Sequence, residues 1–138
     1  MPSSLGRFVC IASLMALVVG CGSQGPRVAE VTGTVTHEGK PVEKLFLNFV
    51  PENGRPSWGV TDEAGHYSLH YERDRSGAVV GTHKVWVQVR PASPKEESRP
   101  ATLRPEMQQI LSKYGKKETS PLRVEVNEDH QVIDLKLD

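Results

Sequence analysis

The residues with chemistry to offer are five histidines, two carboxylate pairs at expected turns, two serines near strands and a tryptophan flanked by cations. His66 and His70 fall on one face of an expected strand, where four residues separate them by about 13 Å. That is too far to share a metal ion whose bonds to nitrogen are about 2 Å. His37, His83 and His130 come from separate segments, and the expectation for the set is solvent-facing strand histidines with no metal site. Asp62-Glu63 and Glu128-Asp129 do not supply the alternating oxygen ligands of a calcium loop, and both stand where turns are wanted. Ser68 and Ser120 lack the base and orienting group that a nucleophile needs. No catalytic residue and no cofactor are therefore expected. Trp86 stands apart, on the outward face of its strand beside Lys84, Gln88 and Arg90. An indole there could stack on a sugar ring or anchor a partner, or pack under the segment that follows. Packing is the favoured reading, with Trp86, Lys84 and Arg90 as the candidate ligand-binding residues.

The strongest local signal lies at the start of the chain. Arg7 precedes an apolar run over residues 8–19, and Gly20 and Cys21 follow it. A basic start, a short apolar stretch and a small residue before a cleavage point make an export signal. A transmembrane helix needs about 20 apolar residues, more than this run contains. Leu17-Val18-Val19-Gly20-Cys21 resembles a bacterial lipobox, in which the cysteine thiol is acylated and becomes the new N-terminus after cleavage before it. The expectation is a signal peptide over 1–20 and a lipidated tether over 21–28. Cys10 would leave with the signal, so the mature chain cannot form an internal disulfide and must rely on packing. The 17 basic and 17 acidic side chains cancel, which excludes a basic field for nucleic acid or anionic lipid. Membrane attachment would come from acyl chains on Cys21, each buried methylene contributing about 0.8 kcal/mol. Gly22 follows the cysteine, with no aspartate to suggest inner-membrane retention, so the outer membrane is expected in a two-membrane cell.

From Glu30 onward apolar and polar residues alternate, the period of half-buried strands. Val31, Gly33 and Val35 share one face; Thr32, Thr34 and Thr36 share the other. After the Glu38-Gly39-Lys40 turn, Leu45, Leu47 and Phe49 alternate with Phe46, Asn48 and Val50 until Pro51. A short strand over 58–61 closes at Asp62-Glu63-Ala64-Gly65, and Tyr67, Leu69 and Tyr71 then oppose His66, Ser68 and His70. Residues 83–90 form the clearest strand, with Val85, Val87 and Val89 on its apolar face. Leu122, Val124 and Val126, then Ile133, Leu135 and Leu137, give two more. Seven short strands predict an all-β fold, a seven-stranded antiparallel Greek-key β-sandwich over 29–138. The proline-rich stretch 91–121 is too long for a turn. Within it Met107, Ile110, Leu111 and Tyr114 fall at helical spacing, with Pro105 before them and Gly115 after. This predicts a helix over about 105–114, before the last two strands, lying as a lid on the core.

Several stretches together carry a family resemblance: Val31-Thr32-Gly33-Thr34-Val35, Gly39-Lys40-Pro41-Val42, Phe49-Val50-Pro51-Glu52 and Thr61-Asp62-Glu63-Ala64-Gly65-His66-Tyr67. Gly81-Thr82-His83-Lys84-Val85, Lys113-Tyr114 and Ser120-Pro121-Leu122-Arg123-Val124-Glu125-Val126 continue it. In this order they resemble the carboxypeptidase regulatory-like domain, a transthyretin-like (prealbumin-like) sandwich, in the version found alone in small bacterial lipoproteins. Lys44-Leu45 departs from the small pair usual there. The resemblance implies a fold and an accessory or structural role; a fold alone does not license a function. Transthyretin-like proteins also include a hydroxyisourate hydrolase with a C-terminal Tyr-Arg-Gly-Ser signature, whereas this sequence ends Asp134-Leu135-Lys136-Leu137-Asp138. The expectation is a lipid-anchored, extracytoplasmic, non-catalytic binding or structural module of the cell envelope, with an envelope protein or a glycan as partner. The alternative is carbohydrate or cell-wall binding through Trp86, and the outside alternative is a transthyretin-like hydrolase.

Overall fold

The computed structural model describes residues 25–89, 103–127 and 129–138. The expected signal, Cys21, Arg90, Glu128 and residues 91–102 of the proline-rich stretch lie outside them. Two β-sheets face each other and one helix packs against them. Alternation decides which residues point inward. In β1 (Val28–His37) the buried positions are Ala29, Val31, Gly33, Val35 and His37, and the threonines between them are half-buried. In β3 (Leu45–Pro51) Leu45, Leu47 and Phe49 are fully buried, as are Val85 and Val87 of β9 (Gly81–Val89). These side chains form one core with Leu69, Val126, Leu135 and Leu137.

The first sheet is organised on β1, which runs antiparallel to β2 (Lys40–Pro41), β5 (His66–Ser68) and β8 (Ala78–Val79). Glu38 and Gly39, between β1 and β2, have φ of 48° and 77°, the paired positive values of a two-residue hairpin turn. The C-terminal segments β11 (His130–Val132) and β12 (Leu135–Lys136) run parallel to β1, with Val31 opposite Gln131 and Val35 opposite Leu135. Every other pairing is antiparallel, as the sequence predicts. The exception arises because the last segment arrives from the other sheet, so no hairpin fixes its direction.

The second sheet has the order β10-β9-β3-β4-β6-β7, all antiparallel, adding β4 (Ser57–Val60), β6 (His70–Glu72), β7 (Arg75–Ser76) and β10 (Arg123–Val126). Its longest register joins β3 to β9, from Leu45 opposite Val89 to Pro51 opposite His83. The described residues thus hold twelve strand segments where the sequence predicts seven strands. The expected strand over 66–71 breaks at Leu69, where the chain leaves the first sheet for the second. The expected final strand breaks at Ile133-Asp134, which bulge over Gly33.

The helix, α1 (Pro105–Tyr114), begins on Pro105 and ends where the Gly115 N–H donates to the Leu111 carbonyl. It buries Met107, Ile110 and Tyr114 into the common core and lies against β9. Its last turn is tied to the C-terminal segment. Lys113 Nζ and the Tyr114 hydroxyl both donate to the Asp138 main-chain oxygen, at 2.6 and 2.8 Å.

Candidate binding face on the second sheet

The strands of the second sheet place alternate residues on its outer face, and the registers align them in rows. One row reads Trp86, Asn48, Trp58, His70 across β9, β3, β4 and β6. Phe46 packs parallel to Trp58 at 5.8 Å between ring centroids, and His70 lies 4.8 Å from Trp58 on the other neighbouring strand. Trp58 is 43% exposed and Val60, two residues on, 49%. Beside them opens a hollow of about 400 Å³, lined also by Asp62, His66, Tyr67, Ser68 and His70. An aromatic wall bordered by a hydroxyl, two imidazoles and a carboxylate offers apolar contact and hydrogen bonds together.

β4 explains why this face is aromatic. Its inward residues Ser57 and Gly59, and Thr61 just past its end, are small or polar and all buried. A Cβ on Gly59 would lie 2.8 Å from the Ser68 carbonyl oxygen and 3.3 Å from Leu69 Cδ2. The chain crossing between sheets at Leu69 therefore fills the space where an inward side chain would go. Thr61 uses the room for a latch: its N–H donates to the Leu45 carbonyl and its Oγ1 accepts from the Leu45 N–H, at 3.0 and 2.9 Å. The large side chains of β4 are left to the outside.

Trp86 and Lys84 are both half-buried rather than open to solvent. The Trp86 Nε1 is shut away from water with no hydrogen-bond partner among the described residues. Lys84 Nζ reaches instead to the Glu118 carbonyl, 3.1 Å away, and Arg90 lies outside the described residues. The open tryptophan is Trp58, which sequence reasoning passed over. Its signal was available: the small inward series Ser57, Gly59, Thr61 sets Trp58 and Val60 on the opposite face.

The histidines divide in two. His66 is exposed, and His130, also exposed, pairs through Nδ1 with Glu30 at 2.9 Å. His37 and His83 correct the expectation of solvent-facing histidines, being 7% and 0% exposed. Both occupy inward positions of their strands, so the pattern of the strand overrides the polarity of the residue. His37 Nδ1 donates to the Leu137 carbonyl, and His83 Nδ1 donates to the Gly81 carbonyl at 3.0 Å. Burial pushes the His83 pKa down, opposed by the Gly81 bond. Among the described residues no group of three or more His, Cys, Asp or Glu is placed to hold a metal ion.

Asp62 Oδ1 accepts the Ala64 and His66 N–H groups, both at 2.9 Å, the turn role read from the sequence. Asp129 accepts from Arg27 at 2.8 Å, and that guanidinium holds its carboxyl below the usual range. Ser120 is buried and donates to the Val85 carbonyl at 2.6 Å, which gives it a structural part. Comparison with known protein families, with curated proteins and with solved structures finds no match to this chain.

Proposed function

We propose that this chain is a lipid-anchored, non-catalytic binding module of the cell envelope that meets its ligand through the outer face of the second sheet. One observation carries the reading: Trp58 and Val60 stand exposed side by side, over an open hollow with polar walls. Contiguous exposed apolar groups rimmed by polar ones mark interaction sites. The anchor rests on residues 7–21, whose pattern is that of an export signal ending in an acylated cysteine. The proposal includes the transthyretin-like, Greek-key form of the sandwich and the outer membrane as its address. The long β3–β9 register and the motif order support that form.

A glycan is the second reading, favoured by the setting of Trp58 beside Ser68, His66 and His70. It moves the sugar site from Trp86 to Trp58. The test has two parts. Metabolic labelling with a palmitate analogue marks the wild type and not Cys21→Ala; equal labelling overturns the anchor. A photo-crosslinker placed at Val60 in intact cells captures a discrete envelope partner, and Trp58→Ala abolishes the capture. Crosslinks that persist in a folded Trp58→Ala protein overturn the binding face. A glycan array that loses signal on the same substitution selects the sugar reading.

A further inference from the structure

His83 is the most exceptional polar group in the core. It is 0% exposed, and its Nε2 is buried with no hydrogen-bond partner among the described residues. Nδ1 carries the proton given to the Gly81 carbonyl at 3.0 Å, so the neutral ring points a bare lone pair from Nε2 into the interior. A second proton there would create a buried cation whose new N–H faces no acceptor.

Among the described residues the surroundings offer no countercharge. On β3, Pro51 stands opposite His83 and the Phe49 ring lies 6.2 Å away. On β10, Val124 stands opposite; its neighbours Arg123 and Glu125 pair with Lys84 and Thr82, on the outer face. Beyond Phe49, at 6.0 Å, is Tyr67, whose hydroxyl donates to the Ile133 carbonyl and whose pKa is raised by burial. The helix α1, packed on β9, turns Met107, Ile110 and Tyr114 inward while Glu106 and Lys113 are exposed. No charged side chain contributes to the lowered proton affinity of His83; burial does.

The neighbour that can yield is β10. It is an edge strand joined to β9 over four residues, Arg123 to Val126, against seven between β3 and β9. On the other side Pro51 has no N–H to give at the level of His83, so the ladder is weak there as well. We propose that His83 is an acid-sensitive latch: on taking up a proton it drives the edge strand β10 off β9, and on losing it the strand re-pairs. The device would make the integrity of this sheet edge follow the acidity of the surrounding medium.

The direction follows from linkage. A ring freed by departure of β10 takes its ordinary pKa of 6.5, and the packed ring has a lower one. The packed state is therefore at full strength above pH 6.5. It weakens as pH falls below 6.5 and levels off below the packed value, by at most about tenfold in the pairing equilibrium for each pH unit.

The test is hydrogen–deuterium exchange of the full-length protein in detergent at pH 7.5 and 5.0, corrected for intrinsic rates. The amides of Val124–Val126 lose protection at pH 5.0 while those of Leu45–Phe49 keep theirs. His83→Leu abolishes the loss and His37→Asn preserves it. Unchanged β10 protection in the wild type, a loss that survives in His83→Leu, or one that vanishes in His37→Asn overturns the proposal. Imidazole nitrogen resonances of the wild type serve if His83→Leu does not fold. They show the Nδ1–H form with no titration while β10 is protected. A ring titrating near pH 6.5 with β10 still protected overturns it equally.

Discussion

Replacing Gly33 with alanine tests how the C-terminal segment is held. Gly33 lies on the inward face of β1 between Val31 and Val35, where an apolar strand normally carries a bulky side chain. A Cβ there would stand 1.9 Å from the Ile133 carbonyl oxygen, 2.6 Å from its carbon and 2.9 Å from Tyr67 Cε1. The first two are backbone atoms, so no rotamer change relieves them. To reach ordinary contact at 3.4 Å the bulge at Ile133-Asp134 must retreat by about 1.5 Å. Two bonds made by that bulge then break: the Tyr67 hydroxyl to the Ile133 carbonyl, and the Thr34 N–H to Asp134 Oδ1 at 2.9 Å. A neutral bond contributes about 1 kcal/mol and one to a carboxylate about 1.5–3 kcal/mol. Alanine recovers roughly 0.5–1 kcal/mol of chain entropy relative to glycine. Gly33→Ala should therefore destabilise by about 2–3 kcal/mol, measured as a urea midpoint about 1–2 M lower. Combined with Tyr67→Phe, the loss should be less than the sum of the two, because the first change already breaks the bond that the second removes. A loss under about 0.5 kcal/mol, or strict additivity with Tyr67→Phe, would refute the reasoning.

Two further changes probe the same frame by equilibrium unfolding. Lys44 is exposed with φ of 58°, a left-handed conformation that costs a side chain about 1–2 kcal/mol. Lys44→Gly should leave stability unchanged or raise it by up to about 1 kcal/mol, once the greater freedom of unfolded glycine is subtracted; a clear loss would show that Lys44 makes a contact of its own. Ser120→Ala removes the donor to the Val85 carbonyl and should cost about 1–2 kcal/mol. A neutral result would mean that the segment before β10 contributes little to holding β9.

The strands legible in the sequence are those whose alternation reports burial directly. β1 and β9 bury one face each, β3 buries one face and Phe46 of the other, and their valines, leucines and Phe49 announce it. The helix was legible for a related reason, since Met107, Ile110 and Tyr114 recur at its turn. Side-chain alternation cannot say which strand pairs with which. From His66 to Glu72 burial alternates without interruption, yet hydrogen bonding passes from β1 to β4 at Leu69. The parallel return of β11 and β12 was hidden in the same way, for a strand bears the same inward residues whichever direction its neighbour runs.

The candidate site shows the opposite failure, in which residue type was trusted over position. His83 has the same parity as Val85 and Val87, and that parity alone places it in the core. Expecting a surface histidine meant letting the average behaviour of the side chain outrank its place in the strand. Trp86 drew attention because cations flank it, but flanking residues on a strand point to the opposite face or lie two positions away. Its neighbours in space include cross-strand residues, with Asn48 directly opposite it. Trp58 had no charged company to advertise it, only an inward series of Ser57, Gly59 and Thr61. That series is the stronger signal, because an inward face too crowded for large side chains obliges the strand to carry them outside. The aromatic residue exposed for that reason is held on its two sides by the Phe46 and His70 rings. Rigidity of this kind lowers the entropy lost on binding, which is why Trp58 rather than Trp86 is the side chain on which a ligand should depend.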